Sequence, residues 1–259
     1  MKIMIKLGLS PCPNDTFLFY GWIHGLVGKE HPIKPFFADI ETLNQEAFSQ
    51  RLPLTKLSFG AYKYLKNSYE LLPTGSALGW NCGPKIIALK PFSLEELSDK
   101  TIAIPGPYTT AHLLLNKIVK NKFNRHFCRY DEVTNLVKKG LVDAGVIIHE
   151  SRFTFALEGL YEIADLGKLW HEETMLPLPL GGIFIRKDLN KNYTKDFTRS
   201  IQESLLYAQN NPDQLLPYIL EHSRVKEKSI VEAHIALYIT KETFDLSRDA
   251  LKAIDLILS

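Results

Sequence analysis

The stretch Gly145-Val146-Ile147-Ile148-His149-Glu150-Ser151-Arg152-Phe153 begins as an apolar, β-branched run and then changes to polar and charged residues. The apolar part is typical of a strand buried on both faces, which we predict over residues 141–148. In an α/β sheet the change marks the carboxyl end of the strand, where ligands bind. His149 stands there, and because an imidazole titrates near neutral pH it is a candidate general base. The alternative is a histidine that caps the next helix or bonds a backbone carbonyl.

The composition is that of an ordinary globular protein of one or two domains. The chain has 259 residues, of which 45% are hydrophobic and 23% charged. Its net charge of +2 is too small to indicate nucleic acid or an anionic membrane as a partner. No apolar run approaches the ~20 residues that span a bilayer, and residues 1–10 alternate like a strand rather than a signal peptide. We therefore expect a cytoplasmic protein.

The cysteine and histidine residues predict neither a disulfide framework nor a metal site. Cys12, Cys82 and Cys128 form no CxxC pair, and among them only Cys12, in a loop, is a weak candidate for a nucleophile. The histidines show no metal-ligand spacing such as HExxH. His234 lies on the apolar face of a predicted helix, where a core or surface role is the more common one.

The first part of the chain alternates predicted strands and helices. A strand over residues 2–9 is followed by the loop Ser10-Pro11-Cys12-Pro13-Asn14-Asp15-Thr16 and a helix over residues 17–27. Within the loop, Asn14 and Asp15 either cap this helix or reach a ligand at its amino terminus. Both interpretations stay open at this point, and the two residues are candidate cleft residues.

Ser58 ends another short strand and is a further candidate. Its hydroxyl and neighbouring amides either bind a ligand or cap the next helix. Glycines at 75, 79 and 83 indicate a mobile or tightly turned loop. The remaining strand predictions in this part cover residues 33–37, 69–72 and 85–89 and a strand from Leu54 that ends in Ser58 and Gly60. The remaining helices are predicted over residues 42–50, with a capping box at Thr42-Leu43-Asn44-Gln45, and over 61–66.

A second series begins after Lys90-Pro91, which reads as a boundary. A predicted strand over residues 101–104 is followed by a Gly/Pro loop, by Thr109 and Thr110, and by a helix over residues 111–120. Two hydroxyls and free helix amides suit a carboxylate or phosphate, with simple capping as the alternative. The loop is not a P-loop, because it lacks the GK[ST] ending. The later predictions are a helix over residues 131–139, strands over 161–165 and 180–186, a loop over 171–179, and helices from 189 onward.

This order predicts an α/β protein of two lobes joined by crossovers, with the ligand cleft between the lobes. The first lobe comprises residues 1–90 and 187–259, the latter forming carboxyl-terminal helices, and the second comprises residues 91–186. The arrangement resembles the type II periplasmic-binding-protein architecture. A fold of this kind does not by itself give a function.

Several motifs together resemble one enzyme family, the 1,4-dihydroxy-6-naphthoate synthases of the futalosine route of menaquinone biosynthesis. Each motif alone is weak, but their order and joint occurrence are specific, and they cover most of the chain up to residue 186. The motifs are Ser10-Pro11-Cys12-Pro13-Asn14-Asp15-Thr16-Phe17, Glu41-Thr42-Leu43-Asn44, Leu52-Pro53-Leu54-Thr55-Lys56-Leu57-Ser58, Ile147-Ile148-His149-Glu150-Ser151-Arg152-Phe153 and Leu176-Pro177-Leu178-Pro179-Leu180-Gly181.

The resemblance implies a lyase that converts cyclic dehypoxanthinyl futalosine, a small carboxylate, to 1,4-dihydroxy-6-naphthoate and a sugar-derived fragment. It implies His149 as the base, and no metal or organic cofactor. It also implies substrate contacts, which fall on Lys56, Leu57, Ser58, Thr109 and Thr110. Two alternatives remain, which are chorismate dehydratase of the same pathway and a non-catalytic protein that binds a small carboxylate.

Overall fold

The structure, a computed structural model, describes residues 4–120, 122–189 and 192–259. Residues 2 and 3 of the predicted first strand lie outside this part. The strands are β1 (Ile5–Leu9), β2 (Ile33–Phe37), β3 (Leu54–Ser58), β4 (Tyr69–Leu71), β5 (Ala77–Gly79), β6 (Lys85–Ala88), β7 (Thr101–Ile104), β8 (Asn124–Phe127), β9 (Ala144–Ile147), β10 (Tyr161–Asp165) and β11 (Leu178–Arg186). The α-helices are α1 (Pro13–Ile23), α2 (Ile40–Phe48), α3 (Phe59–Leu65), α4 (Thr110–Ile118), α5 (Val133–Lys138), α6 (Ser151–Thr154), α7 (Leu166–Thr174), α8 (Asn192–Asn210), α9 (Pro212–His222), α10 (Lys228–Tyr238), α11 (Lys241–Phe244) and α12 (Arg248–Leu258).

The first sheet has the order β2-β1-β3-β11-β4, with β5 also paired to β11. β1 is parallel to β2 and β3, whereas β11 is antiparallel to β3, β4 and β5. β11 therefore returns to the first sheet after the chain has built the second one. The predicted strand over residues 33–37 is confirmed, and the strand predicted from Leu54 ends at Ser58, before Gly60. The glycine-rich segment predicted as a loop contains the short strand β5.

The second sheet has the order β10-β6-β9-β7-β8. β6 pairs antiparallel with β9 and β10, although the sequence analysis placed these residues in the first lobe. The chain therefore changes sheet between residues 79 and 85, not at residue 90. Lys90-Pro91 merely follows the end of β6, because a proline cannot continue a strand ladder.

The second change of sheet also differs from its predicted position at residue 186. β10 ends at Asp165 in the second sheet, and β11 belongs to the first sheet from Leu178 onward. The two are connected by α7, whose amino terminus is capped by Asp165 through the amides of Gly167 and Lys168. Residues 171–174 therefore belong to a helix, where the two following prolines had suggested a loop.

Two more helices begin earlier than predicted. Cys12 is the extended N-cap residue of α1, and Pro13 takes the first helical position, where the missing amide proton costs nothing. Asn14 and Asp15 therefore lie inside the first turn instead of capping it. α2 begins at Ile40 because the Asp39 side chain accepts from two first-turn amides, which replaces the predicted capping box.

The helices after residue 192 pack on the first sheet and its helices. α8 and α9 contact α1, α10 contacts α1 and β5, and α12 contacts α3 and β11. The core between α1 and α8 includes Trp22 and Phe197, which are almost fully buried. Within the part of the chain that is described, no helix combines the length and apolar character needed to cross a membrane.

Candidate active site

A cavity lies between the two sheets and is lined by residues from strand ends and helix starts of both. The predicted site residues meet there, except for Leu57. They come from the first turn of α1, the carboxyl half of β3, the start of α4 and the turn after β9. These predicted residues are Asn14, Asp15, Lys56, Ser58, Thr109, Thr110 and His149.

Strand alternation explains why Leu57 is absent from the cavity wall. Successive side chains of a strand point to opposite faces, so Lys56 and Ser58 face the cavity and Leu57 is buried in the apolar core. The family resemblance implied substrate contacts at all three residues, and for the Leu57 side chain this prediction is wrong. Asn44 holds Ser58 in place, because its Oδ1 accepts from the Ser58 amide at 3.0 Å.

A buried ion pair forms one wall of the cavity. The Lys56 Nζ atom lies 2.7 Å from Asp15 Oδ1, and the two side chains are 7% and 0% exposed. The Ser10 amide donates to Asp15 Oδ2 at 3.1 Å, and Asn14 Nδ2 donates to Asp15 Oδ1 at 3.2 Å. The Lys56 ammonium group thus balances the charge of the Asp15 carboxylate, and the carboxylate has its hydrogen-bond donors within the protein.

His149 lies two residues after the end of β9 and lines the cavity. Its φ of 56° lies in the left-handed region, which is uncommon for a residue with a Cβ atom and turns the chain sharply out of the strand. Enclosure in the cavity lowers the pKa of His149 below its ordinary 6.5, although the Glu150 and Asp15 carboxylates oppose this. At neutral pH the ring is therefore uncharged, which is the form that a general base requires.

Thr109 is the N-cap residue of α4. Its Oγ1 atom accepts from the His112 amide at 3.2 Å and donates to the Gly106 carbonyl at 3.0 Å. A hydroxyl group has one proton, so Thr109 has none left for a ligand. The structure therefore supports helix capping, rather than ligand binding, as the role of the Thr109 hydroxyl.

The Thr110 hydroxyl is also engaged within the protein. It donates to the Leu180 carbonyl at 2.5 Å and accepts from the Gly60 amide at 3.4 Å. Chain packing is tight here, since a Cβ atom on Gly60 would lie 2.5 Å from the Thr109 carbonyl oxygen. The backbone amides of Thr110 and Ala111 have no acceptor in the described chain, so these amides are what the helix start offers to an anion.

The same cavity is also lined by Cys12, a weak nucleophile candidate by sequence, and by His234, for which a core or surface role was expected. Both contact Asn14 Oδ1, at 2.8 Å from Cys12 Sγ and 3.1 Å from His234 Nε2. Burial raises the pKa of the Cys12 thiol, which argues against a nucleophilic role. Burial, together with His149, lowers the pKa of His234 well below 6.5. The helical pattern around His234 indicated only a core position, so no sequence signal distinguished it.

These residues also form a set of donors that could hold a metal ion. Donor atoms of Cys12, His149 and His234 lie within 4.8 Å of one another. Thiol and imidazole groups are ligands that zinc prefers. Spacing along the sequence excluded local motifs such as HExxH, but it could not reveal a cluster that three distant segments form. The expectation that the protein uses no metal stays a prediction.

Arg152 connects the second sheet to α10 at the edge of the cavity. Its Nη1 atom donates to the Gly83 carbonyl at 2.9 Å and to Tyr238 Oη at 3.0 Å. Its Nη2 atom donates to Asp165 at 3.2 Å. Because Arg152 is positively charged and lines the cavity, it favours an anionic ligand there.

Acidification from pH 7 to pH 5 is expected to lower the free energy of unfolding. In the folded state the pKa of His149 is below 6.5, and that of His234 is well below it. In the unfolded chain both histidines take up protons at about pH 6.5. Below this pH the unfolded chain therefore binds more protons than the folded chain, and the free energy of unfolding falls. Urea unfolding of His234→Gln should show a smaller loss over this range, and an equal loss would contradict the assignment.

The chain resembles two curated proteins over nearly its full length, and both are named 1,4-dihydroxy-6-naphthoate synthase. The protein from Thermus thermophilus is 40% identical over 250 residues, which cover 96% of this chain and 91% of the relative. The protein from Streptomyces coelicolor is 34% identical over 262 residues, which cover 96% of this chain and 90% of the relative. The family resemblance that the motifs indicated is confirmed.

Two solved structures confirm the two-lobed fold. A crystal structure of an Archaeoglobus fulgidus protein superimposes with a TM-score of 0.93 at 34% identity, covering 98% of this chain and 95% of the other. The periplasmic aliphatic sulphonate-binding protein of Escherichia coli matches with a TM-score of 0.67 at 12% identity, covering 98% and 86% of the chains, and shares the fold alone.

The sequence model of one family, described as menaquinone biosynthesis, matches residues 5–259. This match spans both sheets and all of the cavity-lining residues named above. The chain therefore belongs to the menaquinone biosynthesis family.

Proposed function

We propose that the protein is a carbon–carbon lyase that converts cyclic dehypoxanthinyl futalosine to 1,4-dihydroxy-6-naphthoate. The observation that carries the proposal is the position of His149, an uncharged imidazole that faces the cavity from the end of β9. The names of the two curated relatives support the same activity. A location in the cytoplasm and a small carboxylate as the substrate are parts of this proposal.

In the proposed reaction His149 removes a proton beside a carbonyl or hydroxyl group of the substrate. The C–H electron pair forms a double bond within the sugar-derived fragment as the adjacent carbon–carbon bond breaks. The pair from the broken bond moves into the ring, where a carbonyl oxygen takes up a proton and becomes a hydroxyl, and aromatisation supplies the driving force. A positioned base contributes ~10²–10⁴-fold to the rate. The Lys56–Asp15 ion pair and Ser58 lie on the cavity wall, where they contribute to orienting the substrate.

The substrate carboxylate is proposed to bind at the amino terminus of α4. Lys56 is already paired with Asp15, and Arg152 with Asp165, whereas the amides of Thr110 and Ala111 are free of partners in the described chain. Amides at a helix start bind anions through their hydrogen bonds and the helix dipole. The predicted contact is therefore kept at Thr110, extended to Ala111 and assigned to backbone amides instead of hydroxyls, whereas Thr109 is proposed only to cap the helix.

Thr110→Pro is expected to raise KM by roughly 10-fold relative to Thr110→Val, since a charged hydrogen bond contributes ~1.5–3 kcal/mol. Both variants lose the hydroxyl, but only proline also removes the amide proton. Proline fits because residue 110 is the first residue of α4 and the residue before it is extended, with φ −71° and ψ 152°. Steady-state kinetics and melting temperature are measured on both.

Thr110→Val itself should lose stability with little change in KM, because its hydroxyl bonds Leu180 and Gly60 within the protein. Equal KM values in the two variants, with both folded, would exclude the amide of residue 110 as a carboxylate ligand.

The direct test is incubation of the protein with cyclic dehypoxanthinyl futalosine, with dihydroxynaphthoate detected by mass. A parallel incubation with chorismate tests the dehydratase alternative. Loss of chorismate without turnover of the futalosine compound would replace the proposal by that alternative. Saturable binding of either compound without turnover would support the non-catalytic binding protein.

A further inference from the structure

Helix α10 places a second histidine in the cavity, beside the proposed base. His234 is 1% exposed and lines the cavity. Its ring is nearly parallel to that of His149, with an angle of 15° between the planes and 6.3 Å between the centroids. The proposed reaction gives this residue no role, although burying an imidazole without a partner for each nitrogen is unfavourable.

The hydrogen bonds of Asn14 determine which nitrogen of His234 carries the proton. Asn14 Nδ2 lies 3.2 Å from Asp15 Oδ1, and a carboxylate paired with Lys56 can only accept. The amide group of Asn14 must therefore face Asp15 with its nitrogen, which leaves Oδ1 as an acceptor toward His234 Nε2 at 3.1 Å. His234 thus holds its proton on Nε2, and Nδ1 carries a lone pair.

No group of the described chain donates to that lone pair. His234 Nδ1 and Ser76 Oγ are the buried side-chain polar atoms without a hydrogen-bond partner among the described residues. The nearest ring neighbours of His234 are aromatic side chains, with centroid distances of 5.0 Å to Tyr238 and 6.2 Å to Phe153. The Tyr238 hydroxyl accepts from Arg152 and keeps its own proton, but it makes no hydrogen bond with Nδ1. A donor to Nδ1 is therefore best supplied by a molecule bound in the cavity.

We propose that Nδ1 of His234 accepts a hydrogen bond from a hydroxyl group of the bound substrate, an inference that rests on the proposed function. A lone pair repels a carboxylate, and that group has the amides of α4 available instead. A neutral hydroxyl supplies the proton that this lone pair lacks, and the proposed product carries two hydroxyl groups on its ring.

Two substitutions of His234 separate this contact from a structural role. The side-chain amide of Gln places its nitrogen near the position of Nε2, where it can still donate to Asn14, but it has no acceptor at the position of Nδ1. Asn places its amide near the position of Nδ1 and loses the contact with Asn14. The dissociation constants of both variants and the wild type are measured anaerobically for 1,4-dihydroxy-6-naphthoate and for 2-naphthoate, which has the carboxylate but no hydroxyl. Melting temperatures of all three proteins are measured in parallel.

His234→Gln is expected to bind dihydroxynaphthoate at least 10-fold more weakly than the wild type and to bind 2-naphthoate unchanged. Compared with His234→Gln, His234→Asn should keep a larger part of the preference for dihydroxynaphthoate over 2-naphthoate. If His234→Gln loses affinity equally for both compounds, or for neither, the inference is overturned while the proposed function stays in place. A wild-type protein that does not bind dihydroxynaphthoate removes the proposed function, and the inference falls with it.

Discussion

Replacing His149 with asparagine is expected to lower kcat by at least ~100-fold while the protein stays folded, because a positioned base contributes ~10²–10⁴-fold. The imidazole faces the cavity and is uncharged at neutral pH. Asparagine is preferred to alanine because the φ of residue 149 is 56°, and asparagine adopts this left-handed conformation more readily. The measurement is kcat with cyclic dehypoxanthinyl futalosine, with the melting temperature of the same preparation.

His126→Asn serves as the matched control, because His126 is an exposed residue of β8 and does not line the cavity. Its kcat should equal that of the wild type. Near-normal turnover of a folded His149→Asn protein would refute the base assignment. The left-handed backbone also gives a second expectation, that a β-branched residue at 149 lowers the melting temperature more than asparagine does.

Lys56→Met is expected to lower the free energy of unfolding by ~3–5 kcal/mol, the usual cost of leaving one member of a buried ion pair alone. Methionine keeps much of the length of the lysine side chain but removes its charge. The Asp15 carboxyl group, 0% exposed, then has no cation at 2.7 Å. Urea unfolding without ligand measures the effect, so substrate contacts do not enter the result.

Two further variants show whether the loss comes from the unpaired charge. Adding Asp15→Asn to Lys56→Met removes that charge, and the double variant should recover part of the stability. Lys228→Met breaks an exposed pair with Glu232 at 3.6 Å, for which at most ~1 kcal/mol is expected. If Lys56→Met and Lys228→Met lowered the free energy of unfolding by similar amounts, the buried pair would not be a stabilising element of the cavity.

Much of the fold was predictable from the sequence because its signals are local. The strands over residues 33–37, 101–104 and 161–165 were predicted at their observed bounds. Helix starts were predicted less well. Capping was predicted for Asn14 or Asp15 and for Thr42, whereas Cys12 and Asp39 occupy those positions. Several residue types can cap a helix, so neighbouring candidates compete and the pattern does not choose between them.

The sheet that a strand joins was harder to predict from the sequence than the position of the strand. The strand predicted over residues 85–89 is observed as β6, but its partners are β9 and β10 of the second sheet. Composition near Lys90-Pro91 suggested a boundary at the wrong place, because proline marks the end of an element and does not say which sheet that element joined. Pairing depends on residues far apart in the chain, which a local pattern does not contain.

The sequence by itself determined the family and the position of His149 at the end of a buried strand, because motif identity and strand periodicity are properties of neighbouring residues. Only the tertiary structure decided that Lys56 pairs with Asp15, that the Thr110 hydroxyl is engaged by Leu180, and that His234 enters the cavity. Partners separated by tens to hundreds of residues meet through packing of whole elements. On a buried helix face, the histidine that lines a cavity has the same periodicity as one that fills a core.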